Sequence, residues 1–311
     1  MNDKIVAYLD LLGFCNFTQQ DKNGAIKMLN DYLTVLYIKI NDDALNPPNS
    51  YPSGLRALAK RKSIDTFSHF LPFSDSIFVV SEDGDPTNFL TQLGNFVLEV
   101  FLLGQRGQRD GANPVSEDVA HFTFEGNGKE NKTVLKEKRF PVLFRSGIAY
   151  GDAEIFKNEP LISIVDKQRQ KTHIVSGKAV VDAVGLVEGG KTRCPDILLS
   201  PCLVERIQDP QFKQAHIETC GQNSRLLWPA FNYDPDNSLS KFSEMFTPAV
   251  ALWNYHSHGE CSDIYFNFLK LIIKSTMSLF CGTSESCTKT YINKQIDDLG
   301  MTSKKEALWG E

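Results

Sequence analysis

Apolar positions recur at two different periods along this chain, and the switches between them mark out its elements. Residues 4–10 (KIVAYLD) form a short, mostly apolar run with a β-branched centre, the pattern of a buried strand, and Gly13 ends it. Ile26, Leu29, Tyr32, Leu33, Leu36, Tyr37 and Ile40 then fall at helical spacing and predict a helix over 22–40. Residues 42–54, rich in Pro, Asn and Ser, predict a loop. Two apolar runs, DTFSHFL and FSDSIFVV, flank Pro72 and predict a hairpin-like strand pair within 64–80. Asp85-Pro86-Thr87 has the form of a helix start, a capping carboxylate followed by a first-turn proline. Phe89, Leu93, Phe96, Val97, Val100 and Phe101 line one side of that helix as far as about Leu103.

Residues 104–138 break the pattern. They are polar, charged and rich in glycine, and predict an insertion or mobile loop with a short strand at HFTFE. Strand character returns at 139–156 and 160–165. The stretch 173–188 begins as a strand, becomes helical after Gly177 and stops at Gly189-Gly190, and 196–201 is read as a final strand. Beyond 206 come a strand candidate (SRLLWPA) and helices at 239–256, 262–281 and 286–299. This order predicts an α+β fold: an antiparallel sheet with helices on one face, built on a ferredoxin-like βαββαβ unit. Two units are expected, 1–205 carrying the insertion 104–138, and a mostly helical C-terminal extension over 206–311.

Composition narrows the function classes. With 311 residues, 41% hydrophobic and 23% charged, the chain can bury a substantial core, and a net charge of −5 gives no support to nucleic-acid binding. The basic stretches 59–62 and 136–139 are read as solvated loop faces. Seven cysteines stand at 15, 194, 202, 220, 261, 281 and 287 with no Cys-x-x-Cys, the usage of a reducing compartment, and 194, 202 and 220 are taken as core thiols. The most apolar late stretch, 264–281, is interrupted by Lys270 and Lys274, so it is read as a packed amphipathic helix. With no basic, apolar leader at the N-terminus, a cytoplasmic protein with no membrane partner is expected.

The candidate chemistry sits in three apolar runs. Asp10 lies in YLDLLGF at the end of the first strand, Asp75 is central in FSDSI, and Arg145 lies in FRSGIAYG. A lone carboxylate in such a run is costly to bury without a partner. Two on neighbouring strands make a site for hard divalent cations, and an added arginine points to chemistry on a nucleoside triphosphate. The turn at Gly13-Phe14 offers backbone amides to phosphate oxygens. Taken singly, Asp10 reads as an ordinary cap and Asp75 as a solvent-facing strand residue; the set with Arg145 is what points to a metal site.

The set LDLLGF, FSDSI and RSGIAYG resembles the class III nucleotidyl cyclases. In that family an Asp-[Ile/Leu]-x-Gly-Phe strand end, a second Asp in a hairpin and an Arg-x-Gly-Ile-x-x-Gly strand recur in this order. FSDSI and the helix start SGKAVVDAVGLVE make it most similar to the pyrimidine cyclases of bacterial Pycsar antiphage systems, over about residues 1–205. The resemblance implies that Asp10 and Asp75 bind two Mn²⁺ or Mg²⁺ ions through their side chains and Leu11 through its carbonyl. It implies that Arg145 contacts the triphosphate, where a guanidinium binds phosphate bidentately, and that the amides of Leu12, Gly13 and Phe14 cradle the phosphates. The implied reaction converts UTP, or CTP, to the 3′,5′-cyclic monophosphate and pyrophosphate. The implied setting is a homodimer with active sites at the subunit interface, whose product activates a separate effector in phage defence.

Departures from the family pattern sharpen the expectation. Where purine cyclases carry a base-reading Lys and Asp, this chain has Leu71 and Ile174, neither of which can pair with a purine edge. Tyr37, His69 and Phe73 are candidates to stack on a base and equally plain core residues. The family's transition-state Asn and Arg fall near Val181 and Gly185, which leaves Lys178, Lys191 and Arg193, or the metals alone, to offset charge at the α-phosphate. Asp182 lies one residue away from the first of those positions. A catalytically degenerate nucleotide-binding or interaction protein is the alternative class. A palm-type nucleotidyltransferase ranks below both, since its Gly-Gly-Asp/Glu-Glu-Phe hairpin is absent. GLVEGGKT (185–192) matches a P-loop pattern but follows a helical run and precedes Pro195, against the strand–loop–helix context a P-loop needs. YHSHGEC (255–261) offers His256, His258 and Cys261 without a second ligand cluster and is read as a surface turn.

Overall fold

The computed structural model describes residues 3–14, 18, 22–41, 52–73, 75–81, 84–105, 116–124, 130–138, 142–162, 169–189, 194–233, 238–259, 262–280 and 285–310. In chain order, β1 (Asp3–Leu11) leads to α1 (Lys22–Asn41), α2 (Ser53–Lys62), β2 (His69–Phe73), β3 (Ser76–Ser81) and α3 (Pro86–Gln105). Next come β4 (Ser116–Phe124), β5 (Glu130–Lys138), β6 (Phe144–Asp152), β7 (Glu154–Ile162), β8 (Arg169–Ser176), α4 (Lys178–Gly189) and β9 (Ile197–Leu199). The remainder is α5 (Pro201–Arg206), α6 (Pro210–His216), β10 (Ile217–Cys220), β11 (Asn223–Leu226), α7 (Phe242–His256), α8 (Ser262–Leu279), α9 (Glu285–Asp298) and α10 (Lys305–Trp309).

A seven-stranded sheet runs in the order β10-β11-β9-β6-β1-β3-β2. β1 is antiparallel to both β3 and β6, and β2 is antiparallel to β3. The strands β2-β3-β1-β6 therefore hold the order of a ferredoxin-like βαββαβ unit, and the fold is α+β with a mostly helical C-terminal region. β6 pairs in parallel with β9, and the connection between them carries the β7–β8 hairpin and α4. Pro72 lies in β2, the edge strand, where its missing N–H removes nothing from a central ladder.

Alternation along β1 divides the sheet into two faces. Ile5, Ala7, Leu9 and Leu11 join the larger core with Tyr32 and Val35 of α1 and Phe89, Leu93, Phe96 and Phe101 of α3. Val6 points the other way and packs with Val80, Ala149 and Ala153 against Ala179 and Ala183 of α4. Helices thus cover both faces. The one-face expectation fails because α4, with alanines on its inner side, lies directly on β1 and β6.

Several elements match their sequence signals. α1 spans the predicted helix, and Asp85 Oδ1 accepts hydrogen bonds from Thr87 N and Asn88 N at 3.0 and 3.4 Å, the cap expected before Pro86. Others differ. Part of the predicted 42–54 loop is helical, because α2 begins at Ser53; residues 42–51 lie outside the described residues. Gln92 of α3 ties α2 to β2: its Oε1 accepts from Thr66 N and Thr66 Oγ1, and its Nε2 donates to the Lys60 carbonyl. The polar insertion contains a nine-residue-per-strand antiparallel hairpin, β4–β5, where only a short strand at HFTFE was expected. Beyond 196–201, β11 falls on the strand candidate SRLLWPA and pairs with β9, and β10, which was not expected, pairs with β11. The sheet thus continues past residue 205, and one core cluster joins β1 to Leu308 of α10.

Candidate active site

The three motifs meet at one end of the central strands. In register, Asp10 of β1 sits opposite Ser76 of β3 on one side and Arg145 of β6 on the other. Asp10, Ser76 and Arg145 share the α4 face with Val6, Val80 and Ala149, two-residue steps along the same strands. Arg145 Nε donates to Asp10 Oδ2 at 2.6 Å, and Ser76 Oγ donates to Asp10 Oδ1 at 3.2 Å. The Tyr8 hydroxyl lies 2.9 Å from Ser76 Oγ, and its ring packs on Phe78 with centroids 5.0 Å apart. Asp10 is therefore held by both neighbouring strands. Its side chain is 14% exposed, whereas that of Arg145 is 39% exposed.

Asp75 occupies the turn between β2 and β3 rather than a strand centre. Leu11 N donates to the Asp75 carbonyl at 3.1 Å, which fixes that turn against the end of β1. Burial, with the Asp75 charge added to it, pushes the Tyr32 phenol above its ordinary value. Asp10 and Asp75 are thus brought to one strand end from two elements.

Past β1, Gly13 takes φ +77°, a conformation in which glycine is unstrained. Phe14 has helical backbone, and its carbonyl accepts from Thr18 Oγ1 at 2.8 Å. Leu12 N donates to the Leu143 carbonyl at 2.9 Å. That amide is spent on the β6 side.

The positions read from the departures are placed as follows. Leu71 is half-buried on β2, and Ile174 is 48% exposed on β8, across the ladder from the exposed Phe156. Val181 is 70% exposed and Gly185 is also exposed on α4, with Lys178 exposed at its start. Tyr37 and Phe73 are 69% and 76% exposed, so neither belongs to the core. Lys191, Arg193 and Cys261 lie outside the described residues. His256 stacks on Tyr265 with centroids 4.5 Å apart, and burial lowers its affinity for a proton. Of the thiols read as core, Cys194 is buried and Cys220 half-buried, but Cys202 is exposed at the start of α5. Ser76 and Tyr8, which hold Asp10, were missed from sequence. Their signal was the two-residue spacing that puts Tyr8 and Asp10 on one face.

Donor chemistry at the strand end consists of two carboxylates and nearby backbone carbonyls. Among the described residues no cluster of three or more His, Cys, Asp or Glu side chains is placed to hold a metal ion. Two carboxylates suffice for Mg²⁺-type ions, which complete their shell with water and substrate phosphates instead of a full protein cage. The residues present fit such a cation. Among the described residues no helix is long and apolar enough to cross a membrane.

No family model and no curated relative matches the chain. Similar solved structures include the adenylyl cyclase CyaB from P. aeruginosa, at 16% identity and TM-score 0.40, covering 72% of this chain and 93% of that one. A bacterial light-regulated adenylyl cyclase matches at 13% identity and TM-score 0.42, covering 72% and 88%. The guanylyl cyclase domain of a RhoGC fusion protein from Blastocladiella emersonii matches at 11% identity and TM-score 0.39, covering 73% and 97%.

Proposed function

We propose that this protein is a metal-dependent nucleotidyl cyclase acting on a pyrimidine nucleoside triphosphate, UTP or CTP. The observation that carries the reading is the meeting of Asp10, Asp75 and Arg145 at one end of β1, β3 and β6. Asp10 and Asp75, with the Leu11 carbonyl, would hold two divalent cations, Mn²⁺ or Mg²⁺. When bound, these cations supply charge neutralisation on the triphosphate and acidify the attacking hydroxyl. Arg145 binds phosphate oxygens with its guanidinium fork, and the Gly13 and Phe14 amides hold others. The ribose 3′-hydroxyl gives its proton to solvent as its oxygen forms a bond to the α-phosphorus, the bond from that phosphorus to the α–β bridging oxygen breaks, and pyrophosphate leaves with the electron pair. Ser76 and Tyr8 keep the Asp10 carboxylate oriented throughout.

Leu71 and Ile174 support a pyrimidine, since neither offers a hydrogen bond to the edge of a buried purine. The exposed apolar residues Phe156, Ile174 and Val181, on the hairpin β7–β8 and on α4, support pairing of two copies. By the resemblance of its motifs, the cyclic product serves as a second messenger that activates an effector protein in phage defence. The test is to incubate the purified protein with each of the four ribonucleoside triphosphates and Mn²⁺ and identify products by mass. cUMP or cCMP with pyrophosphate is expected, and Asp75→Ala should lower its rate about 10³-fold or more, a loss of several kcal/mol of transition-state stabilisation. A second reading, a nucleotide-binding protein without turnover, is favoured by the exposed Val181 and Gly185 where the family's transition-state groups would stand. Metal-dependent nucleotide binding with no product from any triphosphate would establish it and overturn the first.

A further inference from the structure

A cavity of about 620 Å³ lies far along the chain from the strand-end residues, between the β9–β11 side of the sheet and helices α8, α9 and α10. Its volume is that of a small-molecule pocket. The chain as a whole is acidic, yet among the described residues Arg225, Lys270, Lys274 and Lys289 line this cavity against Asp196 and Glu285. Arg225, on β11, is fixed from behind. Its Nε and one terminal nitrogen donate to Glu218 Oε2 at 3.1 and 2.5 Å, and the other terminal nitrogen donates to Asp196 Oδ1 at 2.7 Å. Those bonds use three of its five N–H groups. Lys274 caps the other oxygen of Glu218. Asp196 and Glu218 are therefore committed to Arg225 and Lys274, and the acidic charge left facing the cavity is the exposed Glu285.

Lys270 is not committed in the same way. Its ammonium lies 5.2 Å from the Phe266 ring centroid, and no carboxylate among the described residues pairs with it. Trp309, half-buried, closes the cavity with its indole N–H donating to Asn293 Oδ1 at 2.9 Å. Lys289 lies over that indole, 4.9 Å from the ring centroid. Apolar wall is supplied by Leu271, Ile273, Met277 and Leu308. Ammonium groups and an indole with apolar neighbours lining one cavity are the chemistry that takes a phosphate joined to a flat ring.

The geometry points to a second ligand site that takes a mononucleotide, with its phosphate at Lys270 and Lys274 and its base against Trp309. This site does not depend on the cyclase reading. Asp196 also connects it to the strand-end residues: the Asp196 carbonyl accepts from Ser146 N at 2.8 Å, next in sequence to Arg145.

The test uses the full chain carrying Trp253→Phe, in EDTA, with Trp309 fluorescence as the readout; Trp228, the other indole, is fully buried. The probes are UMP, AMP, uridine and inorganic phosphate. Saturable quenching by a nucleoside monophosphate is expected, with a Kd of about 1 mM or tighter. Lys270→Glu should weaken it about ten-fold or more, with Lys270→Gln intermediate and circular dichroism unchanged. Asp75→Ala should leave it within about two-fold, because the strand-end site is elsewhere. The proposal is overturned by the absence of saturable quenching at about 10 mM nucleotide, or by equal binding in Lys270→Glu. Phosphate binding as tightly as UMP would overturn the ring contact, and loss of quenching in Asp75→Ala would assign the binding to the strand-end site.

Discussion

Gly147, two residues after Arg145 in RSGIAYG, should tolerate no side chain, and the cost can be worked from its surroundings. A Cβ built there would lie 2.0 Å from the Ala183 carbonyl oxygen, 3.0 Å from the Ala183 carbonyl carbon and 2.9 Å from Leu186 Cβ. A carbon–oxygen contact relaxes only near ~3.3 Å, so α4 must withdraw from β6 by about 1 Å or more. The obstacle is helix backbone, which cannot rotate away as a side chain can. Overpacking costs about 1–3 kcal/mol, and a backbone obstacle places Gly147→Ala at the upper end. The gain from replacing a strand glycine, about 0.5–1 kcal/mol, offsets part of this, leaving a net loss of about 2 kcal/mol. For a chain of 311 residues that lowers Tm by roughly 3 °C. Gly185→Ala is the matched control. It lies within α4, exposed, and a Cβ there meets nothing within 4 Å. That change should raise stability by up to about 1 kcal/mol, the helix-propensity difference. Calorimetry and urea midpoints at constant m measure both. If the two variants differ by less than about 1 kcal/mol, α4 does not press on β6 as argued.

Two further perturbations probe the polar frame. Burial opposes ionisation of Glu218, but Lys274 and Arg225 outweigh it and hold the carboxyl below its ordinary value. A depressed folded-state value contributes stability that is present above the unfolded carboxylate range and lost as pH falls through the folded one. Tm of the parent protein should therefore drop on acidification below about pH 4.5, and Glu218→Gln should show a shallower drop; parallel Tm–pH curves would reject the assignment. Gln92→Ala strips the acceptor from Thr66 N–H and the donor from the Lys60 carbonyl. With Gln92 fully packed, this should cost about 3 kcal/mol and speed hydrogen exchange at the Thr66 amide, and unchanged protection there would show that Gln92 does not fix the α2–β2 connection.

What was legible in the sequence was what local chemistry determines. The cap at Asp85, the stop after α4 and the apolar stripes of α1 and α3 each declare themselves within a few residues. The order of the βαββαβ unit followed from those elements. What was hidden depends on contacts between distant segments. β10 is a four-residue strand with little alternation, and it becomes a strand by pairing with β11, which the candidate SRLLWPA marks. α2 has no buried residue and carries basic side chains in its last turn, so no apolar stripe announces it. The second helical layer was missed because its inner residues are alanines, which carry a weak hydrophobic signal but permit the close approach seen at Gly147.

The candidate site follows from the same face logic. α4 covers the α4 face of β1 and β6 as far as Val6, Ala149 and Ala183, and the strands continue past that cluster to Asp10 and Arg145. Charged groups on a covered face would be buried without water, at high cost. At the uncovered strand end, the same alternation brings a carboxylate and a guanidinium together as direct cross-strand partners. Arg145 holds Asp10 through Nε alone among the bonds shown, and a guanidinium has five N–H groups. The remaining fork, on a side chain 39% exposed, is available to phosphate without release of Asp10. One residue can therefore join the carboxylate that would bind a cation to the triphosphate that the cation would neutralise. A lysine there would lack the planar fork that binds phosphate bidentately, so Arg145→Lys should be a damaging change in spite of its conserved charge.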